Sequence, residues 1–251
     1  MEIIFEDNHI LVVFKPAGIA TQEDSSGDLS LQQKLKQYLV EKNAKPGRAY
    51  LGIVHRLDRP TAGVMVFAKT SKAAARLSAA IADSGKLTQD SQYAVSARPA
   101  GEPVFEKTYF AVVQGILKER EGTLTDYLRK NEIKNKVEIT GMATEGAKLA
   151  VLEYKVIEEI TNVSLPSSLV RVNLLTGRPH QIRVQFSHAG HPVLGDIKYG
   201  ASQKTAGLDL ALFAVELKLT HPTTKEKMVF RAYPPKAPPW KAFDLSRHLA
   251  L

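Results

Sequence analysis

Between the apolar pair Ile53-Val54 and the run Val64-Met65-Val66-Phe67-Ala68 the chain places His55, Arg56, Asp58 and Arg59. An acid flanked by two arginines at the mouth of a buried strand is held ionised by opposite charge, ready as a nucleophile or a base. In a solvated loop the same residues would form ordinary surface ion pairs. The apolar run is short and continuous, which suits a strand covered on both faces. Pro60 and Gly63 punctuate the approach to it.

Two further stretches carry reactive side chains. Phe105-Glu106-Lys107-Thr108-Tyr109 opens a strand through Val113 that ends at Gly115. Taken alone, Tyr109 is a core aromatic whose hydroxyl needs a partner. In TGRPHQIRVQFSHAGHPVLGDIKYG, Thr176 and Gly177 make a turn, Pro179 suits a first helical position, and His180 to about Ala189 read as a short helix ended by Gly190. Ile182 and Phe186 share one face, and Arg183 lies between them. His180, His188, His191 and Asp196 do not make a metal site on this pattern: His180 and His188 are two helical turns apart, and no paired-histidine zinc motif is present.

In order and spacing these stretches resemble the RluA-type pseudouridine synthases. His-Arg-Leu-Asp, two residues, then Thr-Ala-Gly is similar to that family's HRLDxxTSG. Lys15-Pro16-Ala17-Gly18 resembles its first motif, Lys107-Thr108-Tyr109 its Lys-x-Tyr strand, and residues 176–200 its TGRxHQ(I/L)RxH stretch followed by GDxxYG. The resemblance implies that Asp58 acts at the ribose of a uridine, by attack on C1′ or by removing the C2′ proton. It implies that Tyr109 stacks on the base and aids loss of the C5 proton, and that Arg183 pairs with Asp58, as a guanidinium fork suits. Arg56 matches a position that fills the gap left by a flipped base. His55, Arg59, Lys107, Arg178, His180 and Gln181 complete the expected RNA contacts, and Asp196 and Tyr199 the structural support of the cleft. Ala62, Pro179 and Gln185 depart from the family pattern at positions with no proposed chemical role. No cofactor is implied, in keeping with the absence of a nucleotide-cofactor motif.

The elements that must carry these residues follow from periodicity. Ile3–Phe5 and Ile10–Phe14 read as a hairpin, Ser30 caps a helix to about Glu41, and Ser71 caps a second over Lys72–Asp83. Ser84–Pro103 is polar and irregular, resembles an insertion, and is expected as a loop with a short strand at Tyr93–Val95. Strands follow near Thr123–Tyr127, Val137–Thr140, Ala147–Ile160 and Leu169–Leu175, with Lys130, Lys134 and Lys136 in a solvated loop. A hairpin over Leu210–Leu219 and Met228–Tyr233 precedes a stiff tail, 234–251, whose Trp240–His248 docks as a final helix. The expected fold is α+β, the pseudouridine synthase fold by resemblance: one catalytic domain over 1–251, a mixed and mainly antiparallel sheet with flanking helices, and no separate S4-type RNA-binding module.

At 251 residues with 34 basic and 26 acidic side chains, the net charge of +8 favours an anionic partner, here ribosomal or transfer RNA. No apolar run approaches the ~18 residues that span a bilayer, so no membrane partner is expected. The absence of cysteine excludes disulfides and thiolate metal sites. A monomer in the cytoplasm is the expected setting. The same charge would serve a non-catalytic RNA-binding or RNA-chaperone protein, and an unrelated hydrolase using Asp58 as nucleophile is a third reading.

Overall fold

The structure is a computed structural model and describes residues 2–43, 49–84 and 104–248. Its strands in chain order are β1 (Glu2–Glu6), β2 (Ile10–Lys15), β3 (Gly52–Ile53), β4 (Ala62–Ala68), β5 (Phe105–Gln114), β6 (Glu121–Asn131), β7 (Lys136–Thr140), β8 (Lys148–Ile160), β9 (Ser167–Leu174), β10 (Leu212–Thr220) and β11 (Lys227–Arg231). Its helices are α1 (Leu31–Asn43), α2 (Ser71–Ser84), α3 (Gln181–His188) and the single turn α4 (Leu245–His248). This is the α+β class that the strand-rich pattern predicts, and every register described below is antiparallel. The expected strand at Tyr93–Val95 and the loop over 85–103 lie outside the described residues. No described helix is long and apolar enough to cross a membrane.

The chain divides into two compact units, residues 1–106 with 216–232, and residues 107–215 with 233–251. In the first, β2 pairs with β1 on one side and β4 on the other, β3 adds Gly52 and Ile53 to β4, and β11 pairs with Glu216–Thr220 of β10. Ile10, Val12, Val64, Val66 and Ala68 form one side of a core whose other side is Ala73, Leu77 and Ala80 of α2. Those three α2 residues recur at the spacing of one helix face. The residue that caps α2 is Thr70, whose hydroxyl accepts from the Ala73 N–H at 3.1 Å, one position before the expected Ser71. At α1 the expected cap holds: Gln33 N–H donates to Ser30 Oγ and Ser30 N–H to Gln33 Oε1 at 2.8 Å, a reciprocal pair that satisfies two otherwise orphaned donors.

A charged corner ties this unit together. Glu6 at the end of β1 accepts from Tyr38 and Lys42 of α1 and from Lys69 beyond β4, at 2.8–3.0 Å. Burial alone raises the Glu6 pKa, yet these hydrogen bonds win and bring it down to about 2. A carboxylate depressed in the folded state stabilises above its unfolded value, and that contribution is lost as pH falls from about 4.5 towards 2. Because Lys42 is half exposed, the discounted effect is on the order of 1 kcal/mol. E6Q is therefore expected to unfold more easily than the parent at pH 7 and to close most of that gap as the pH is lowered towards 2, as read by denaturant titration at both ends of the range. A constant gap would place the Glu6 contribution elsewhere than in its charge.

In the second unit β6 lies between β7 and β8, β8 pairs with β9, and β9 with β5. α3 packs on this sheet through Val184, against Leu128, Val137 and Ala150, with Tyr199 in the same cluster. The helix begins at Gln181, not at Pro179. Gln181 N–H reaches back to the Arg178 carbonyl at 3.3 Å, and His180 takes a left-handed conformation (φ 51), so Pro179 belongs to the turn before the helix. The expected tail helix is likewise shorter. Trp240–Ala242 is a 3-10 turn with Trp240 buried edge-on against Phe213 at 6.2 Å, and only Leu245–His248 is α-helical. Phe243 N–H bonds to the Trp240 carbonyl, the pattern of a 3-10 turn, and Phe243 is itself extended.

Candidate active site

The loop that carries Asp58 is shaped by alternation. After β3 leaves β4 at Ile53, the imidazole of His55 takes over the ladder: its Nε2 accepts from the Val66 N–H at 3.0 Å, and its ring packs edge-on against Phe105. Leu57, two residues on, is buried, whereas Arg56 is exposed and Asp58 half-buried. The inward positions thus fix the strip and the outward ones are presented. His55, expected among the RNA contacts, is a strand cap with its Nε2 already engaged.

Below the loop lies the Lys-Pro-Ala-Gly turn. Lys15 is wholly buried at the end of β2, and its ammonium donates to the carbonyls of Pro16 (3.0 Å), Arg59 (3.1 Å) and Thr61 (2.8 Å). All three ammonium hydrogens have acceptors. Thr61 N–H closes a turn onto the Asp58 carbonyl at 3.0 Å, Gly18 N–H bonds to the Arg59 carbonyl at 2.9 Å, and the Thr21 hydroxyl to the Leu57 carbonyl at 2.8 Å. Residues 57 to 61 are therefore pinned from one side through their backbone. Burial pushes Lys15 down to about 8, the charge of Asp58 opposing the shift and Arg59 adding to it.

Arg59 is tied to a neighbouring loop. Its guanidinium meets both oxygens of Asp24 at 2.9 Å, Asp28 at 2.8 Å and Ser26 at 2.5 Å. These groups are solvent-exposed, so the cluster orders the 24–28 loop against the Asp58 turn more than it stabilises the fold. An RNA phosphate at Arg59 would have to compete with two carboxylates.

The other unit carries the remaining residues. Tyr109 is buried in β5, and Lys107 lies two positions earlier on the same face. Lys107 is pushed down to about 8 by burial. Arg183 on α3 is buried and holds Asp196 through both arms of its fork, Nε to Oδ2 and Nη2 to Oδ1 at 2.7 Å each. Its guanidinium carbon also stands 5.0 Å from the centre of the Tyr199 ring. The bidentate partner of Arg183 within its unit is thus Asp196, the residue read from sequence only as support. Gly195 allows this: its φ is +76°, and a Cβ there would fall 2.5 Å from the Asp209 carbonyl oxygen.

The turn before α3 is braced by a buried amide chain that sequence reasoning did not foresee. Val151 N–H donates to Thr176 Oγ1 (2.8 Å), which donates to Gln181 Oε1 (2.9 Å), and Arg178 N–H reaches the same oxygen at 3.0 Å. The Gln181 amide then donates to Gln185, and Gln185 donates to Asp126 and the Ala150 carbonyl. Gln185, where the family pattern has histidine, makes three bonds through one amide. An imidazole has only two nitrogens to offer. Gln181 is accordingly buried and engaged at both ends, Arg178 donates through Nε to the Leu149 carbonyl at 2.8 Å, and His180 meets the Tyr199 hydroxyl at 2.6 Å. The histidines of this stretch go to three separate partners: His180 to Tyr199, His188 to Asp126, and His191 to the Gln114 carbonyl.

The comparisons with known proteins agree on one family. A family model described as RNA pseudouridylate synthase matches residues 9–188. An uncharacterized RNA pseudouridine synthase of Bacillus subtilis is 33% identical over 235 residues, 92% of this chain and 68% of its own length. The ribosomal large subunit pseudouridine synthase C of Vibrio vulnificus is 31% identical over 236 residues, 92% of this chain and 64% of its own length. Among solved structures, human RNA pseudouridylate synthase domain containing 1 superposes with a TM-score of 0.70 at 25% identity, covering 94% of this chain and 84% of that one.

Proposed function

The chain belongs to the RNA pseudouridylate synthase family, and on that premise we propose that it isomerises uridine to pseudouridine in ribosomal or transfer RNA with Asp58 as its catalytic carboxylate. The observation that supports the reading is the turn at residues 58–61, held through its carbonyls by the buried Lys15 so that the half-buried Asp58 is carried on a fixed backbone. The reaction breaks the bond from C1′ to N1, turns the uracil, and joins C5 to C1′. Asp58 acts at the ribose, Tyr109 stacks on the base and aids removal of the C5 proton, and Arg183 orients Asp58. Arg56, exposed beside Asp58, occupies the gap left by the flipped base. Arg59, Lys107 and Arg178 add positive charge along the RNA path. The whole chain acts as one catalytic domain. Neither hydride nor redox chemistry nor a metal enters these steps. The proposed setting is a monomer in the cytoplasm, acting on RNA that its excess positive charge attracts.

Pseudouridine mapping of ribosomal and transfer RNA from cells with and without the gene tests this directly. At least one uridine is expected to lose its modification in the deletion and to regain it when the purified protein is added to the deficient RNA. Purified protein that binds these RNAs and isomerises nothing in them would favour the RNA-chaperone reading.

A further inference from the structure

Lys15 and Lys107 are both desolvated, and they differ in what they hold. Lys15 spends its three donors on carbonyls of the Asp58 turn. The Lys107 ammonium meets no hydrogen-bond acceptor and no carboxylate among the described residues, and desolvation is the only influence on its titration. The side chain is half-buried, and a partly desolvated ammonium gains from an acceptor that a ligand brings. Its donors are therefore available to a ligand.

The surroundings say which ligand. Lys107 and Tyr109 project from the same face of β5, about 7 Å apart along the strand, while Thr108 between them turns the other way to Asn173 at 3.2 Å. On its far side the Lys107 ammonium lies against the turn at Gly177, where a Cβ would stand 3.1 Å from Nζ. That turn is held rigid by Gln181, which accepts from both Thr176 and Arg178. Lys107 is thus confined between a fixed wall and the tyrosine on which the base is proposed to stack.

We propose that Lys107 is the cation that meets the detached uracil, stabilising its negative charge through a carbonyl oxygen while the base is free of the sugar. This rests on the isomerase reading above and deepens it. When the C1′–N1 bond breaks, its electron pair leaves with the base and spreads over N1, O2 and O4, whichever way Asp58 engages the ribose. C5 then attacks C1′ to form the new carbon–carbon bond, the C5 proton departs, and N1 takes up a proton. Between the two bond changes the base carries a full negative charge. A pre-positioned ammonium is worth most at that moment.

The test varies the leaving ability of the base. Fluorine at C5 withdraws electrons, so 5-fluorouracil departs as an anion more readily than uracil. Single-turnover loss of the original N-linked nucleoside is measured with uridine RNA and with 5-fluorouridine RNA, for the parent, K107M and K107R. K107M is expected to slow the uridine substrate by roughly 100- to 1000-fold, to slow the fluorinated one by at least several-fold less, and to bind RNA within a few-fold of the parent. K107R recovers part of the loss on uridine. Where K107M fails to fold, K107Q carries the same comparison. Equal losses on the two substrates would overturn the proposal, as would weakened RNA binding with an unchanged single-turnover rate, which would make Lys107 a phosphate contact. A parent protein inactive on uridine RNA would instead overturn the isomerase reading.

Discussion

Asp58→Asn is expected to lower isomerisation by on the order of 10⁴-fold or more and to leave RNA affinity within a few-fold of the parent. The substitution keeps size and shape and removes only the charge and the nucleophilic oxygen. The turn should survive it, because residues 57 to 61 are held by bonds to the carbonyls of Leu57, Asp58, Arg59 and Thr61, which the substitution leaves in place. One coupled change is predictable. The Asp58 charge opposes the fall of the Lys15 pKa, so in the Asn variant Lys15 moves below about 8. Activity and stability are therefore compared at pH 6.5 as well as 7.5, and the loss of activity should be the same at both. Single-turnover assays with filter binding on the same transcript separate the two quantities. Isomerisation within tenfold of the parent would remove Asp58 from the reaction.

What the sequence made legible was the set of elements and the order of the motifs. The hairpin β1–β2, the helix faces of α1 and α2, and the long strand β8 follow from period and punctuation alone. The physical function of particular side chains did not. Nothing in the spacing of Lys15 indicates that it would saturate three carbonyls, two of them more than forty residues away. His55 is read in sequence as a charged-cluster residue, yet it completes a ladder, because a strand of two residues leaves the Val66 N–H without a backbone acceptor. Gln181 and Gln185 look like surface amides on a polar helix. They are buried because β6 and β8 supply matching acceptors, for Gln185 the Asp126 carboxylate and the Ala150 carbonyl from 59 and 35 positions away, a coincidence that only the sheet register creates. Pro179 shows a local rule overruled in the same way: proline suits the first turn of a helix, but Gln181 bonds to Arg178 and starts the helix two residues later.

The Arg183–Asp196 pair is the second place where a large effect is expected. The residue expected at Asp58 is clamped bidentately to Asp196, both side chains almost fully buried, and removing either partner alone leaves a charge in a poor solvent. Asp196→Asn and Arg183→Met are each expected to cost about 3–5 kcal/mol of stability, more than Arg183 would lose in any exposed pair. Replacing both at once, R183M with D196L, should recover most of that loss, since well-packed apolar groups commonly substitute for a buried ion pair. The double variant then separates scaffold from chemistry. If Arg183 also orients Asp58, the repaired protein will unfold at nearly the parent's denaturant midpoint and still isomerise uridine at least 100-fold more slowly, a barrier increase of about 2.7 kcal/mol. Lysine at 183 should fail on both counts, because a point charge cannot grip two carboxylate oxygens or lie flat against the Tyr199 ring. A double variant that is both stable and active would reduce Arg183 to a structural clamp and leave Asp58 to be oriented by the Lys15-anchored turn alone.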